Sequence, residues 1–160
     1  MMMALGDALA IALLQRRGFD ASAFKVFHPG GSLGAMLKTA ADVMRSGDAR
    51  PLVAVGATLG EAIAEISAKR LGCVGVVDAK GALSGVLTDG DLRRMIAAEK
   101  RFETVDEAMT RNPVCVAPGA LAGAVMAEMN ARQITQVFVV EDGRPVGVVH
   151  LHDLLRAGLA

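Results

Sequence analysis

Two stretches of the chain carry apolar residues at the three- and four-residue spacing that is typical of an amphipathic helix. A short strand-like segment precedes each stretch, at 52–55 and at 114–117. This order predicts a strand followed by a helix in two places. The apolar positions of the predicted helices are Leu59, Ile63 and Ile66 in the first stretch and Leu121, Val125 and Met129 in the second.

Each predicted helix is followed by two apolar runs joined by turn residues. "CVGVV" and "LSGVL" are joined by "DAKGA", and "VFVV" and "VGVV" are joined by "EDGRP". Joints that contain Gly and Asp between β-rich runs are typical of β-hairpins. A further helix then begins near Asp91 in the first copy and near Asp153 in the second.

The chain therefore repeats one unit, in the order strand, helix, strand, strand, helix. Asp91 and Asp153 occupy matching positions about 62 residues apart, and "DVM" and "EAM" lead into the two copies. We expect an α/β (α+β) fold in which the copies cover 42–104 and 105–160, after a separate segment at 1–41.

Composition limits the classes of function. The chain has 160 residues, of which 52% are hydrophobic, so it can bury a core. Its 17 basic and 17 acidic side chains balance, so no overall charge attracts nucleic acid or an anionic membrane. The apolar run at 8–14 is too short to span a bilayer, and its flanking charges are not those of a secretory signal. We expect a cytoplasmic protein without nucleic-acid or membrane partners.

The two cysteines, Cys73 and Cys115, each lie in an apolar, strand-like run. In such runs a buried, reduced thiol is commoner than a disulfide or a metal ligand. We therefore expect both thiols to be buried and free.

Candidate chemistry lies where each second hairpin strand becomes a helix. Thr88 and Asp91 have the spacing of a capping box, which needs no ligand. The free amides of a helix N-terminus also favour an anion, and Arg93 and Arg94 follow within about the first turn. A purely structural cap and an anion site are both consistent with this pattern.

In the second copy His150 stands in place of the threonine, while Asp153 keeps the acid. An imidazole can stack on a base or, when protonated, meet a phosphate, but it cannot reproduce a hydroxyl cap. The two sites are therefore expected to differ in preference. A metal site at His150 and His152 is not expected, because residues two apart do not face one another on a helix and no third ligand is near in the sequence.

The doubled order of elements, with its Met-containing lead-ins and its two "G-V-V/L-x-x-x-D-L" endings, resembles the tandem cystathionine-β-synthase (CBS) repeat, or Bateman module. The resemblance implies that two β-α-β-β-α repeats pack sheet to sheet and leave two clefts. In nucleotide-binding CBS repeats, the acid binds ribose hydroxyls and the threonine contacts phosphate. The resemblance assigns these roles to Asp91 and Thr88, with Arg93, His150 and Asp153 as further ligand contacts.

The N-terminal segment contains a predicted helix, "ALGDALAIALLQRRG", and the loop "FHPGGSLG". The helix is apolar on opposite sides, so we expect 1–41 to be the tail of a larger domain. These stretches resemble the last helix and loop of the sugar isomerase domain in D-arabinose 5-phosphate isomerases, which carry a CBS pair after that domain. Such enzymes interconvert D-ribulose 5-phosphate and D-arabinose 5-phosphate, toward the lipopolysaccharide sugar Kdo. His28 matches their active-site motif, which implies ring opening or proton transfer at oxygen; alternatively, it anchors a turn.

The resemblance implies a regulatory CBS pair that binds a nucleotide or nucleotide sugar, with CMP-Kdo as the first candidate and AMP or ATP as the next. No catalytic cofactor and no metal is implied, and a homo-oligomer, a dimer or a tetramer, is expected. Three alternatives stay open: an oligomerisation module with empty clefts, an isomerase fragment that is active by itself, and the CBS pair of a transporter or a nucleotide-biosynthetic enzyme. "FHPGGSLG" argues against the last.

We predict that the isolated chain does not convert D-ribulose 5-phosphate. An aldose–ketose isomerase needs a base at carbon as well as a proton donor or acceptor at oxygen, and His28 alone cannot supply both. The measurement is an isomerase assay of the wild-type chain beside His28→Ala. Turnover that His28→Ala abolishes would establish the active fragment instead.

Overall fold

A computed structural model describes residues 2–16 and 37–159. It confirms the predicted fold, in which the same order of strands and helices occurs twice. A 3-10 turn at Gly47–Ala49 precedes the first copy. In chain order the elements are α1 (Met2–Arg16), α2 (Ala40–Val43), β1 (Leu52–Ala54), α3 (Leu59–Lys69), β2 (Cys73–Val77), β3 (Leu83–Thr88), α4 (Asp89–Ala97), α5 (Val105–Ala108), β4 (Thr110–Arg111), β5 (Cys115–Val116), α6 (Ala122–Ala131), β6 (Gln136–Glu141), β7 (Arg144–His150) and α7 (Leu151–Arg156).

Within the described residues the strands form two sheets, in the orders β1-β2-β3-β4 and β5-β6-β7. In each sheet the first strand is parallel to the second, and the next pair is an antiparallel hairpin. Gly81 and Gly143 provide the positive φ angles, +80° and +78°, that the hairpin turns require. The hairpins predicted from "DAKGA" and "EDGRP" are therefore confirmed.

The segment that leads into each copy is bonded to the sheet of the other copy. β4 leads into the second copy but pairs with β3 of the first, where Thr110 lies opposite Val86. Arg45 leads into the first copy but exchanges two backbone hydrogen bonds with Val148 of β7, at 2.9 and 3.0 Å. We call these two segments, residues 38–51 before β1 and 105–114 before β5, the lead-ins. Each lead-in is thus bonded to the sheet of the other copy.

The buried apolar side chains of the described residues form three clusters. One lies between α6, α7 and the second sheet, and another between α3, α4 and the first sheet. A third cluster joins the two sheets. It consists of Leu71, Cys73, Phe138 and Val148.

The helices bury a narrower face than the sequence pattern indicates. Ile66 of α3 and Met129 of α6 are buried, but Ile63 is 42% exposed. Leu121 is 50% exposed because it occupies the N-cap position, one residue before α6 begins. The predicted helices are therefore confirmed, while the buried stripe of each begins at a small residue, Ala62 or Ala122, that the apolar pattern does not include.

The prediction for the cysteines holds for one of them. Cys73 in β2 is buried, and burial with the nearby Asp89 raises the pKa of its thiol to about 12. Cys115 is exposed, so its predicted burial is wrong. The physical reason is that β5 is a two-residue strand at the edge of its sheet. Both cysteines are free.

Most of the N-terminal segment lies outside the described residues, including Gly18 and His28. α1 confirms the predicted helix. Of its described side chains, Leu9 and Ile11 are 59% and 57% exposed. Among the helices that the structure describes, none combines the length and the hydropathy that crossing a membrane demands.

Gly85 is required where β4 approaches β3. A Cβ atom at Gly85 would lie 2.9 Å from the backbone oxygen of Thr110 and 2.5 Å from the sulfur of Met109. Overpacking of this kind costs ~1–3 kcal/mol, so we predict that Gly85→Ala lowers the free energy of unfolding by that amount.

The measurement is thermal or urea unfolding followed by circular dichroism, since the chain has no Trp or Tyr. Gly123→Ala is the matched control, because Gly123 lies in α6 with nothing within 4 Å of an added Cβ. The control should gain ~0.5–1 kcal/mol from helix propensity. Equal stabilities of the two variants would contradict the role of Gly85.

Candidate functional site

A cavity of about 650 Å³ lies between the two copies. The β3–α4 junction and the start of β2 form one side. The residues before β6, the loop before β5 and the end of β7 form the other side. Pockets of this volume are within the range that holds small molecules and cofactors. The cavity therefore depends on both copies for its walls.

Thr88 and Asp91 form the predicted capping box at the start of α4. The Thr88 amide donates to Asp91 Oδ2 at 2.9 Å, and the Thr88 hydroxyl donates to the same oxygen at 2.6 Å. The Asp91 amide donates in turn to Thr88 Oγ1 at 3.2 Å. These bonds fix the carboxylate at the wall of the cavity, where Asp91 and Thr88 are both lining residues.

Positive charge is concentrated at the same wall. Arg70, Arg93 and Arg94 line the cavity beside the N-terminus of α4. Arg94 donates to Asp91 Oδ1 at 2.5 Å, but its own side chain is 74% exposed. A long, exposed side chain exchanges such a contact for solvent at little cost. The wall therefore offers mobile cations and helix amides to an anion.

His150 caps α7 through its ring. Its Nδ1 accepts a hydrogen bond from the His152 amide at 3.1 Å, so the imidazole does replace the threonine hydroxyl as a cap, contrary to expectation. This amide belongs to the second residue of α7, whereas Thr88 binds the amide of the third residue of α4. The His150 and His152 rings also meet edge to face with centroids 5.0 Å apart. They can do so because His150 precedes the helix in extended backbone, where the helical spacing argument does not apply.

His150 lines the same cavity as Thr88. Burial, and next the neighbouring His152, lowers the pKa of the His150 imidazole. The geometry agrees, because Nδ1 must be unprotonated to accept the cap bond. Among the described residues, no group of three His, Cys, Asp or Glu side chains is arranged to hold a metal.

Asp153 does not line the cavity, and Arg45 binds it. Arg45 Nε and Nη2 donate to the two carboxylate oxygens of Asp153 at 2.8 and 3.0 Å. The hydrogen bond from Arg45 lowers the pKa of Asp153, and the same bond raises the pKa of Arg45. The structure thus brings Thr88, Asp91, Arg93 and His150 together and leaves Asp153 apart.

Sequence reasoning missed several polar groups of the cavity. Gln136 begins β6, and its Nε2 donates to the Leu71 carbonyl at 2.8 Å, which joins the two copies at the cavity floor. Thr110 and Arg70 also line the cavity. A signal for Gln136 existed, since it is a polar residue that directly precedes the apolar run "VFVV" and matches Cys73 in the repeat.

We predict that His150 makes stability fall with acidification between about pH 7.5 and pH 5.5. Its folded pKa is lowered, so the stability it contributes is complete above the unfolded imidazole pKa. As pH falls, the unfolded chain takes up the proton first and this contribution is lost. His150→Asn keeps a capping side chain without titration in this range, so its melting temperature should decline less.

The measurement is circular-dichroism melting of both proteins across that range. His152→Asn is the control, because it removes an exposed ring of the same pair and should keep most of the decline. An unchanged decline in His150→Asn would contradict the prediction.

Comparison with known proteins identifies the repeats. The CBS domain family profile matches residues 40–98 and 105–160. The chain is 44% identical over 158 residues to arabinose 5-phosphate isomerase KdsD of Salmonella typhi, which covers 97% of this chain and 48% of that protein. The chain thus spans about half the length of this curated relative.

Solved structures show the same fold. The CBS domain pair of protein MJ0100, in complex with 5′-methylthioadenosine and S-adenosyl-L-methionine, superposes with a TM-score of 0.67 at 27% identity, covering 75% of this chain and 94% of that one. CBSX2 in complex with AMP gives a TM-score of 0.67 at 21% identity, over 76% and 96% of the two chains. With two matched repeats folded as these pairs are, the chain belongs to the CBS domain family.

Proposed function

We propose that this CBS pair is the nucleotide-sensing regulatory part of an arabinose 5-phosphate isomerase. The observation that carries the sensing role is the Asp91 carboxylate, held at the wall of a cavity of about 650 Å³ beside a helix N-terminus. The isomerase part of the proposal rests on the relatives, which match this chain over about half of their length.

Asp91 is suited to bind a pair of sugar hydroxyls. Its Oδ2 is occupied by the amide and hydroxyl of Thr88, while its Oδ1 is bound by the exposed Arg94. Each carboxylate oxygen has more than one acceptor position, so Oδ1 can accept from ribose hydroxyls once Arg94 turns away. The cap with Thr88 keeps the carboxylate oriented during this exchange.

The phosphate of a nucleotide would lie near the start of α4. The first amides of this nine-residue helix lack helical acceptors, and Arg70 and Arg93 line the adjoining wall. The Asp89 amide already donates to the Gly72 carbonyl and the Asp91 amide to Thr88 Oγ1, so an anion there would meet the Gly90 amide and at least one guanidinium.

The base would occupy the apolar part of the cavity. Val86, Pro113, Ile134 and Phe138 contribute to this wall, and Gln136 supplies an amide for an edge of the base. MJ0100 is described with adenosine-type ligands, which supports AMP or ATP as candidates. CMP-Kdo, a late product of the route that the isomerase begins, is the candidate that feedback control would favour.

Regulation would act through the lead-in of the first copy. Residues 38–45 are bonded to the second copy, where Ala40 donates to the Ala120 carbonyl and Ala122 donates to the Lys38 carbonyl, both at 2.8 Å. A ligand that changes how the copies pack would therefore move the point at which a preceding catalytic domain is attached. Such a ligand changes activity only through its preference for one arrangement.

A second candidate function is oligomerisation without a ligand. Ile96 of α4 is 77% exposed, and Ile63 of α3 and Leu155 of α7 are each 42% exposed. Apolar side chains on the outer helices favour this function, because pairing with another copy would remove them from water. A homodimer or tetramer is compatible with nucleotide sensing as well, so the ligand experiment separates the two candidates.

We predict that one of CMP-Kdo, CMP, AMP and ATP raises the melting temperature of the chain, measured by circular dichroism. A ligand at about one hundred times its dissociation constant adds ~2.7 kcal/mol of stability, a shift of several degrees. Asp91→Asn should abolish the shift, because an amide cannot replace both acceptor oxygens.

Glu61→Gln is the matched control. Glu61 makes the same capping box with Thr58 at the start of α3, with both bonds from Thr58 at 2.8 Å, but does not line the cavity. This variant should keep the full ligand shift. If no nucleotide shifts the folded wild-type chain, nucleotide sensing is wrong and oligomerisation is favoured.

A further inference from the structure

We propose that Arg45 closes the second of the two ligand positions, so that the chain binds one nucleotide, at Asp91, and none at Asp153. The inference rests on the proposed function for the first position and adds a stoichiometry and the residue that sets it. The repeat places an acid at both positions, Asp91 and Asp153, so a difference between them has to come from their surroundings.

Arg45 binds both carboxylate oxygens of Asp153 at once. Its Nε lies 2.8 Å from Oδ2 and its Nη2 lies 3.0 Å from Oδ1. Such a bidentate, charge-assisted pair is among the strongest hydrogen-bonded contacts that side chains make. A pair of ribose hydroxyls would have to compete with this guanidinium at both oxygens.

The backbone of Arg45 is fixed as well. Its amide and carbonyl bond to Val148 of β7 at 2.9 and 3.0 Å, and the Asp153 side chain is only 15% exposed. Displacing Arg45 would remove both guanidinium bonds from Asp153, which is costly. Arg156 is no substitute, because its Nη1 is 3.7 Å from Asp153 Oδ1 and its side chain is 75% exposed. Asp91 has a similar exposure of 17%, but it keeps its two bonds from Thr88 when Arg94 leaves.

The first position differs at the matching residue. Thr110 follows "EAM" as Arg45 follows "DVM", and Thr110 lies opposite Val86 as Arg45 lies opposite Val148. Thr110 lines the open cavity and carries no charge to pair with Asp91. Asp91 is bound instead by Arg94, which lies on the same helix and has an exposed side chain. One residue in each lead-in thus decides which acid can receive a ligand.

The experiment counts binding sites by isothermal titration calorimetry with AMP as the probe. The wild-type chain should bind one AMP, and Arg45→Ala should bind two. Arg45→Ala combined with Asp91→Asn should bind one, now at Asp153. Arg50→Ala is the matched control, since Arg50 lies in the same lead-in but bonds to the carbonyls of Gly47 and Pro145; it should still bind one.

A reciprocal variant tests the same inference without disturbing Asp153. Thr110 is exposed, and Thr110→Arg should place a guanidinium on Asp91 and abolish AMP binding. Circular dichroism establishes that each variant is folded. Two AMP molecules on the wild-type chain, or no added site in folded Arg45→Ala, would overturn the inference. If the wild type binds no AMP but the combined variant binds one, the first position was assigned wrongly and the closing role of Arg45 stands.

Discussion

The packing of the two sheets against each other is the interaction on which the rest of the molecule depends. Phe138 of β6 projects from the second sheet onto Gly75 of β2, where a Cβ atom would lie 2.9 Å from the ring. Phe138 and Gly75 are matching residues of the repeat, so a ring in one copy fills the space that a glycine leaves in the other. Two identical copies could not make this contact, since two rings would clash and two glycines would leave a void.

The lead-ins make a second set of packing contacts between the copies. Met44 packs over Gly147 of β7 and Met109 packs over Gly85 of β3, so the glycine in the second hairpin strand of each copy receives a methionine from the segment that leads into the other copy. The cavity lies between sheets that are tied together in both directions. A ligand that bridges its walls therefore acts on the contact between the copies and on the lead-ins together, because the same strands form both.

The sequence predicts correctly those features that depend on residues close together in the chain. The doubled pattern of strands and helices and the capping box of Thr88 and Asp91 depend on neighbours a few residues away. The pairing of Arg45 with Asp153 joins residues separated by 108 positions. It arises from the exchange of lead-ins, which no periodicity reveals. The cap formed by His150 was missed for a different reason, since the argument took an imidazole to be unable to replace a hydroxyl cap, whereas its unprotonated Nδ1 accepts the His152 amide.

Three differences between the copies lie along their shared boundary. Glycine faces phenylalanine at the sheet contact, and threonine corresponds to histidine at the two helix caps. In the lead-ins, the neutral Thr110 corresponds to the cationic Arg45. A change within one copy's own core would alter that copy alone, whereas a change at the boundary alters the space between them. The differences at these positions therefore leave the first copy with an acid at the wall of a cavity and the second copy with an acid paired to an arginine, while the two folds stay alike.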